Sequence, residues 1–333
     1  MVNIIKDISH FGKPIIVITI GYLTFKSIDD VTLFSKTIVH IALLTAIIHL
    51  IGVFGFSNLT SGSIKGARDF GLDNFIEVYA LYFILLAPKI SVRLFGKSLY
   101  TKIALAILIM SIFLYFSRTM FGMIIILGFS FYGYARLTRK SLKVIGALLL
   151  LLFLFYGYLG TIKLERNSKG MESLLYKIKI APSEIVNSKI DREDHRDLWD
   201  HWRAYEAKRA FQLMSENPSS YFIGSGYGSL VNLKFIAPLG EDGMRYISVL
   251  HNGYVFVLYK TGIFGIFIYL VFLFGLYLHV YRNDGNTYFL ILISTIGIYF
   301  LFTSVIITGI YIPKDAILFI LGGALYHKNS IQQ

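Results

Sequence analysis

TYFLILISTIGIYFLFTSVIITGIY, residues 287–311, runs 25 positions without an Asp, Glu, Lys, Arg or His. A bilayer core about 30 Å thick is crossed by roughly 20 apolar residues in a helix, so this stretch decides the class: the chain spans a membrane. Outward from it, residues 262–281 carry only His279, and residues 37–56 only His40 and His49. Residues 75–88 contain Glu77, residues 144–162 are long enough to cross, and residues 315–326 form a brief terminal segment. Residues 103–134 are apolar except for Arg118, and at 32 residues they exceed one crossing. They read as a helical hairpin turning near Ser117-Arg118-Thr119. Residues 14–25 are too short to assign and fit either a crossing or an interfacial helix; no small-residue cleavage site marks a signal peptide there. The expectation is an all-α, polytopic integral membrane protein with about eight or nine transmembrane helices.

Composition agrees. Hydrophobic residues make up 55% of the 333 positions and charged ones 16%, whereas soluble chains have about 25% charged residues. With no cysteine, disulfides, thiolate-ligated metals and thiol nucleophiles are excluded. The net charge of +12 would suggest nucleic acid in a soluble protein, but its placement says otherwise. Lys89, Arg93, Lys97 and Lys102 share one acid-free loop, and Arg136, Arg139, Lys140 and Lys143 share another. Short basic loops stay cytoplasmic. Alternation then sends residues 57–73, the Arg118 turn and residues 163–249 outside. That last segment is nearly neutral, with 13 Lys and Arg against 12 Asp and Glu. The excess charge is thus a topology signal, and no nucleic-acid partner is expected. The chain divides into N-terminal transmembrane helices (1–160), one large extracytoplasmic loop expected to be largely helical (161–249), and C-terminal transmembrane helices (250–333).

Within the loop, HRDLWDHWRAYEAKRAFQLM, residues 195–214, has helical spacing of Leu198, Trp202 and Tyr205 and holds both tryptophans, Trp199 and Trp202. Amphipathic tryptophan rings favour the outer headgroup region. Arg196 and Arg203, seven apart, would share a face, with Arg192 a turn earlier; the plain alternative for Arg196 is an exposed pair with Asp200. Gly224-Ser225-Gly226-Tyr227-Gly228 is either a flexible turn or a set of backbone N–H groups able to cradle phosphate. His251-Asn252 stands where the chain re-enters the bilayer. Histidine titrates near neutral pH and suits a general base, while the plain alternative is a polar helix cap. Arg118, flanked by apolar runs, needs a partner, a water-filled cavity or an anionic ligand unless it reaches the surface. Arg68, with Gly71 and Asn74, completes a set of arginines on one membrane face. Guanidinium groups suit a diphosphate because they hold phosphate oxygens in pairs and keep their charge.

The order of these motifs resembles the O-antigen polymerase and O-antigen ligase superfamily of bacterial envelope glycosyltransferases. The matching residues are Ser117-Arg118, the long loop, Arg196-Asp-Leu-Trp199, Gly224 to Gly228, His251-Asn252, and Gly262 with Gly265. The resemblance implies metal-independent, inverting glycosyl transfer at the outer face of the bacterial cytoplasmic membrane, without a cofactor. The donor would be a glycan on undecaprenyl diphosphate. Arg196 and His251 would be catalytic, His251 accepting the proton of the attacking hydroxyl. Arg118, Arg68 and Arg203, with Asn252 and Gly226, would contact diphosphate or substrate. Membrane lipids, a chain-length regulator and a flippase are the further partners expected. A polymerase adding repeat units and a ligase using another acceptor share this chemistry. A transporter of an anionic lipid-linked solute is the remaining alternative, although the internal repeat it would show is not evident.

Overall fold

The computed structural model describes residues 1–56, 75–86, 94–95, 98–165, 170–186, 190–191, 193–239, 243–283, 285, 287–312 and 316–328. The helices of the N-terminal part are α1 (Val2–Ile28), α2 (Val31–Phe56), α3 (Phe75–Leu86), α4 (Ser98–Leu114), α5 (Arg118–Phe129) and α6 (Arg139–Thr161). The loop contributes α7 (Gly170–Ile180), α8 (Ser183–Val186), α9 (His195–Asp200), α10 (Trp202–Glu216), α11 (Ser220–Ile223), β1 (Val231–Ala237) and β2 (Met244–Ile247). Then follow α12 (Gly253–Tyr277), α13 (Thr287–Ile306) and α14 (Ile317–His327). Five of these elements, α1, α2, α6, α12 with its short extension, and α13, are long and apolar enough to cross a membrane.

Three sequence expectations change. The undecided N-terminal segment is a continuous 27-residue helix with Pro14 inside it. The loop is not helical throughout, because β1 and β2 pair antiparallel with Val231 opposite Ile247 and Asn232 opposite Tyr246. Finally, the run expected to be one helix over residues 195–214 breaks at His201, which leaves helical geometry at φ −117° and ψ 24°. The predicted turn near Arg118 is present: α4 ends at Leu114, Ser117 precedes α5, and Arg118 is its first residue.

The chain divides into two compact units. One comprises Met1–Ile16, Ile180–Leu276 and Phe300–Pro313. In it α10 packs on β1. Tyr205 donates its hydroxyl to the Leu233 carbonyl, Arg209 its Nε–H to the Asn232 carbonyl at 2.9 Å, and Trp202 lies against Tyr205 and Phe235. These bonds satisfy carbonyls that the irregular pairing between Asn232 and Ala237 leaves unused.

The other unit comprises Val17–Lys179, Tyr277–Tyr299 and Lys314–Gln333. Its centre is α3, in which Ile76 through Ile84 and Leu86 are all buried. Polar pairs tie its helices where water is absent: His49 to Ser111 at 2.8 Å and Ser130 to Thr295 at 2.6 Å. Each such bond replaces an unsatisfied group that would cost several kcal/mol in hydrocarbon, on the order of the desolvation penalty. By contrast, α6 presents Leu148 through Leu154 outward, as a lipid-facing helix does.

Candidate functional site

Asp194 caps α9, its Oδ1 accepting the Arg196 amide at 2.8 Å. A carboxylate there satisfies amides that the first helical turn leaves unpaired. The Arg196 guanidinium is exposed, and among the described residues it makes no ion pair or hydrogen bond, with Asp200 or any other. The stacked rings of Trp199 and Trp202, 4.7 Å apart, bridge the break at His201. Because of that break Arg196 and Arg203 belong to separate helices.

One turn into α10 lies Glu206, 2% exposed. Both of its carboxylate oxygens reach His251 Nδ1, at 3.0 and 2.9 Å, and Oε2 also accepts the His251 backbone N–H at 3.0 Å. The histidine ring itself is 49% exposed. An ionised carboxylate only accepts, so Nδ1 carries a proton, and in the neutral ring the lone pair is then on Nε2. The helix cap is the neighbouring residue: Asn252 Oδ1 accepts the Val255 N–H at 3.1 Å. The two alternatives read from the sequence thereby separate onto adjacent residues, with Asn252 capping α12 and His251 left available.

Arg203 precedes Glu206 by three residues and so shares its face of α10. It donates Nε–H to the Ile306 carbonyl at 2.8 Å and pairs with Glu184 at 2.6 Å. The following carbonyl, of Ile307, accepts the Gly253 N–H at 3.0 Å. The end of α13 is thus held by α10 and by the start of α12, which fixes the carboxylate and the imidazole together.

The glycine turn docks on α12. Gly262, at φ +67°, kinks that helix. Ser225 and Gly226 donate their amides to the carbonyls of Tyr259 and Lys260, at 2.7 and 3.2 Å. A Cβ on Gly224 would meet the Lys260 carbonyl, and one on Gly262 the Phe222 carbonyl, so both glycines permit close backbone approach. Beside this contact Lys260 and Asp7 form an ion pair of 2.6 Å with exposures of only 1% and 3%. Lys260 also donates to the Ser229 carbonyl at 2.6 Å, and Gly228 donates its amide to Asp7 at 2.7 Å.

Arg118 belongs to the other unit. It is partly buried, and its guanidinium donates to the Lys177 carbonyl at the end of α7, next to the Ile178 carbonyl that accepts the Tyr156 hydroxyl at 3.1 Å. Arg68 and Asn74 lie outside the described residues.

A family model described as O-Antigen ligase matches residues 103–270, half of the chain. The chain belongs to the O-antigen ligase family. No curated protein and no solved structure matches it. The matched segment of this O-antigen ligase family chain runs from α4 through the loop and past the Gly262 kink, so it contains Arg118, Arg196, Glu206 and His251. Membership establishes the ligase and polymerase type of function at family level.

Three residues that the sequence assigned to substrate make contacts within the protein: Arg203 with Glu184 and Ile306, Gly226 through its amide with Lys260, and Asn252 through its Oδ1 with Val255. Glu206 went unnoticed in the sequence because its partner is 45 residues away. The only local hint was an acid on the face of α10 that packs inward. Lys260 and Asp7, 253 residues apart, carry no local signal at all.

Proposed function

We propose that this protein transfers a glycan from a polyprenyl diphosphate carrier to a sugar hydroxyl at the outer face of the bacterial cytoplasmic membrane, and that it does so as a polymerase of lipid-linked repeat units. The observation that carries this reading is the His251 ring, half-exposed and held at Nδ1 by a buried carboxylate, in a chain of this family. The acceptor oxygen attacks the anomeric carbon as its bond to the diphosphate oxygen breaks, and His251 Nε2 takes the hydroxyl proton. Attack opposite the leaving group inverts the anomeric centre. The polyprenyl diphosphate departs as an anion, stabilised by guanidinium groups that cannot lose their charge. Arg196 is assigned that contact because its guanidinium has no hydrogen bond or ion pair among the described residues; for Arg118 and Arg68 a diphosphate role is what the resemblance implies.

A ligase differs only in acceptor, and the family description favours keeping that reading beside the first. Purified protein given the carrier-linked repeat unit alone is expected to yield a ladder of products with free polyprenyl diphosphate. Product that forms only when a lipid-linked core is added would make the protein a ligase. No release of diphosphate under either condition would leave transport.

We read nine crossings, α1 through α6 and α12 through α14 each passing once, with the basic loop at residues 136–143 cytoplasmic. Within the first unit Asp7 meets Gly228, Arg203 meets Ile306 and Gly253 meets Ile307; within the second Arg118 meets Lys177, while Leu137 meets Tyr281 and Asp29 meets Tyr326. Single cysteines at Ser219 and Lys140, both exposed, test this in intact cells. An impermeant maleimide is expected to label Ser219→Cys and to spare Lys140→Cys; the reverse pattern would invert the topology.

A further inference from the structure

Glu206 belongs to no motif of the sequence, yet it makes the closest polar contacts of the proposed base. We propose that Glu206 is the positioning residue of the reaction: it fixes the tautomer of His251 so that the lone pair sits on the exposed Nε2. This rests on the reading of His251 as general base.

Three features of the geometry carry it. Glu206 is 2% exposed, and the partners it has are the Nδ1 and the backbone amide of one residue, His251. A carboxylate so buried is costly unless hydrogen-bonded, so the contact is maintained in the resting protein. The backbone amide also removes an ambiguity. It can only donate, and it sits on Oε2 at 3.0 Å. In Glu206→Gln the side-chain carbonyl therefore turns to that amide, and the NH₂ group faces Nδ1. That donor stands 3.0 Å from Nδ1 and opposes a proton there, and the glutamine carbonyl, already taken by the backbone amide, lacks the charge of the carboxylate; the ring proton therefore shifts toward Nε2, where it blocks abstraction. Lastly, α10 cannot drift, because Arg203, Tyr205 and Arg209 anchor it to the Ile306, Leu233 and Asn232 carbonyls.

The test uses the full-length protein in detergent with the carrier-linked donor. Glu206→Gln is nearly isosteric and is expected to fold. It should lower kcat about 10³-fold or more, as expected for a wrong tautomer, with donor KM unchanged, since donor binding rests on the arginines. Nitrogen-15 spectra of histidine-labelled protein, with His251→Ala used to assign the signal, should show an unprotonated Nε2 in the wild type and an unprotonated Nδ1 in Glu206→Gln. Loss of packing alone would not exchange the two nitrogens. Wild-type kcat in Glu206→Gln, or a wild-type ring already protonated at Nε2, overturns the proposal. If His251→Ala retains full turnover, the base reading fails instead, whatever Glu206→Gln does.

Discussion

His251→Ala is expected to slow the chemical step by about 10²–10⁴-fold, the range a positioned general base supplies. The yield of folded protein should stay near wild type, because Asn252, not His251, caps α12. Donor affinity should persist, since in the proposed mechanism arginines hold the departing diphosphate. Single-turnover measurement with a carrier-linked donor separates the two quantities. His251→Asn retains a polar side chain of similar reach but has no basic nitrogen, and it should be as slow as alanine. Wild-type turnover by a well-folded His251→Ala protein would remove the base from the mechanism.

Arg196→Lys keeps the charge and is nonetheless expected to abolish most polymer formation. An ammonium is a point donor and does not reproduce the planar two-donor grip of guanidinium on phosphate oxygens. Because the Arg196 guanidinium makes no hydrogen bond or ion pair among the described residues, stability should be unaffected, and melting in detergent checks that. Arg203→Ala is the contrast. It removes an ion pair and a carbonyl contact, so it should lower stability by about 1–3 kcal/mol and reduce turnover of the folded fraction less than Arg196→Ala. Full polymer formation by Arg196→Lys at wild-type protein level would mean that the diphosphate is held elsewhere.

The helices were legible wherever apolar runs were unbroken, as in α2, α6 and α13. They were illegible where a charge is neutralised from afar. Lys6, Asp7 and Lys13 interrupt the hydropathy of α1, and the pairing of Asp7 with Lys260 that makes its burial tolerable is invisible to any local window. For the same reason the uncharged run of α12 seemed to begin at Gly262, whereas the helix starts nine residues earlier and carries Lys260 inside it. The strand VNLKFIA escaped notice because its burial alternation is disturbed at the irregularity after Asn232. At the site, position along the chain pointed to His251 and Arg196 as candidates. Their surroundings were not legible there: Glu206 lies behind one, and the guanidinium of the other has no polar partner among the described residues.

The Asp7–Lys260 pair also sets a schedule for biogenesis. The two residues are separated by 253 positions, and synthesis proceeds at roughly 5–20 residues per second, so the first helix waits on the order of ten to fifty seconds for its counter-charge to leave the ribosome. Removing one partner of a buried pair costs about 3–5 kcal/mol, so burying Asp7 before Lys260 exists is disfavoured. α1 is therefore expected to take its final seat only once α12 is in place, so two segments far apart in the chain settle together.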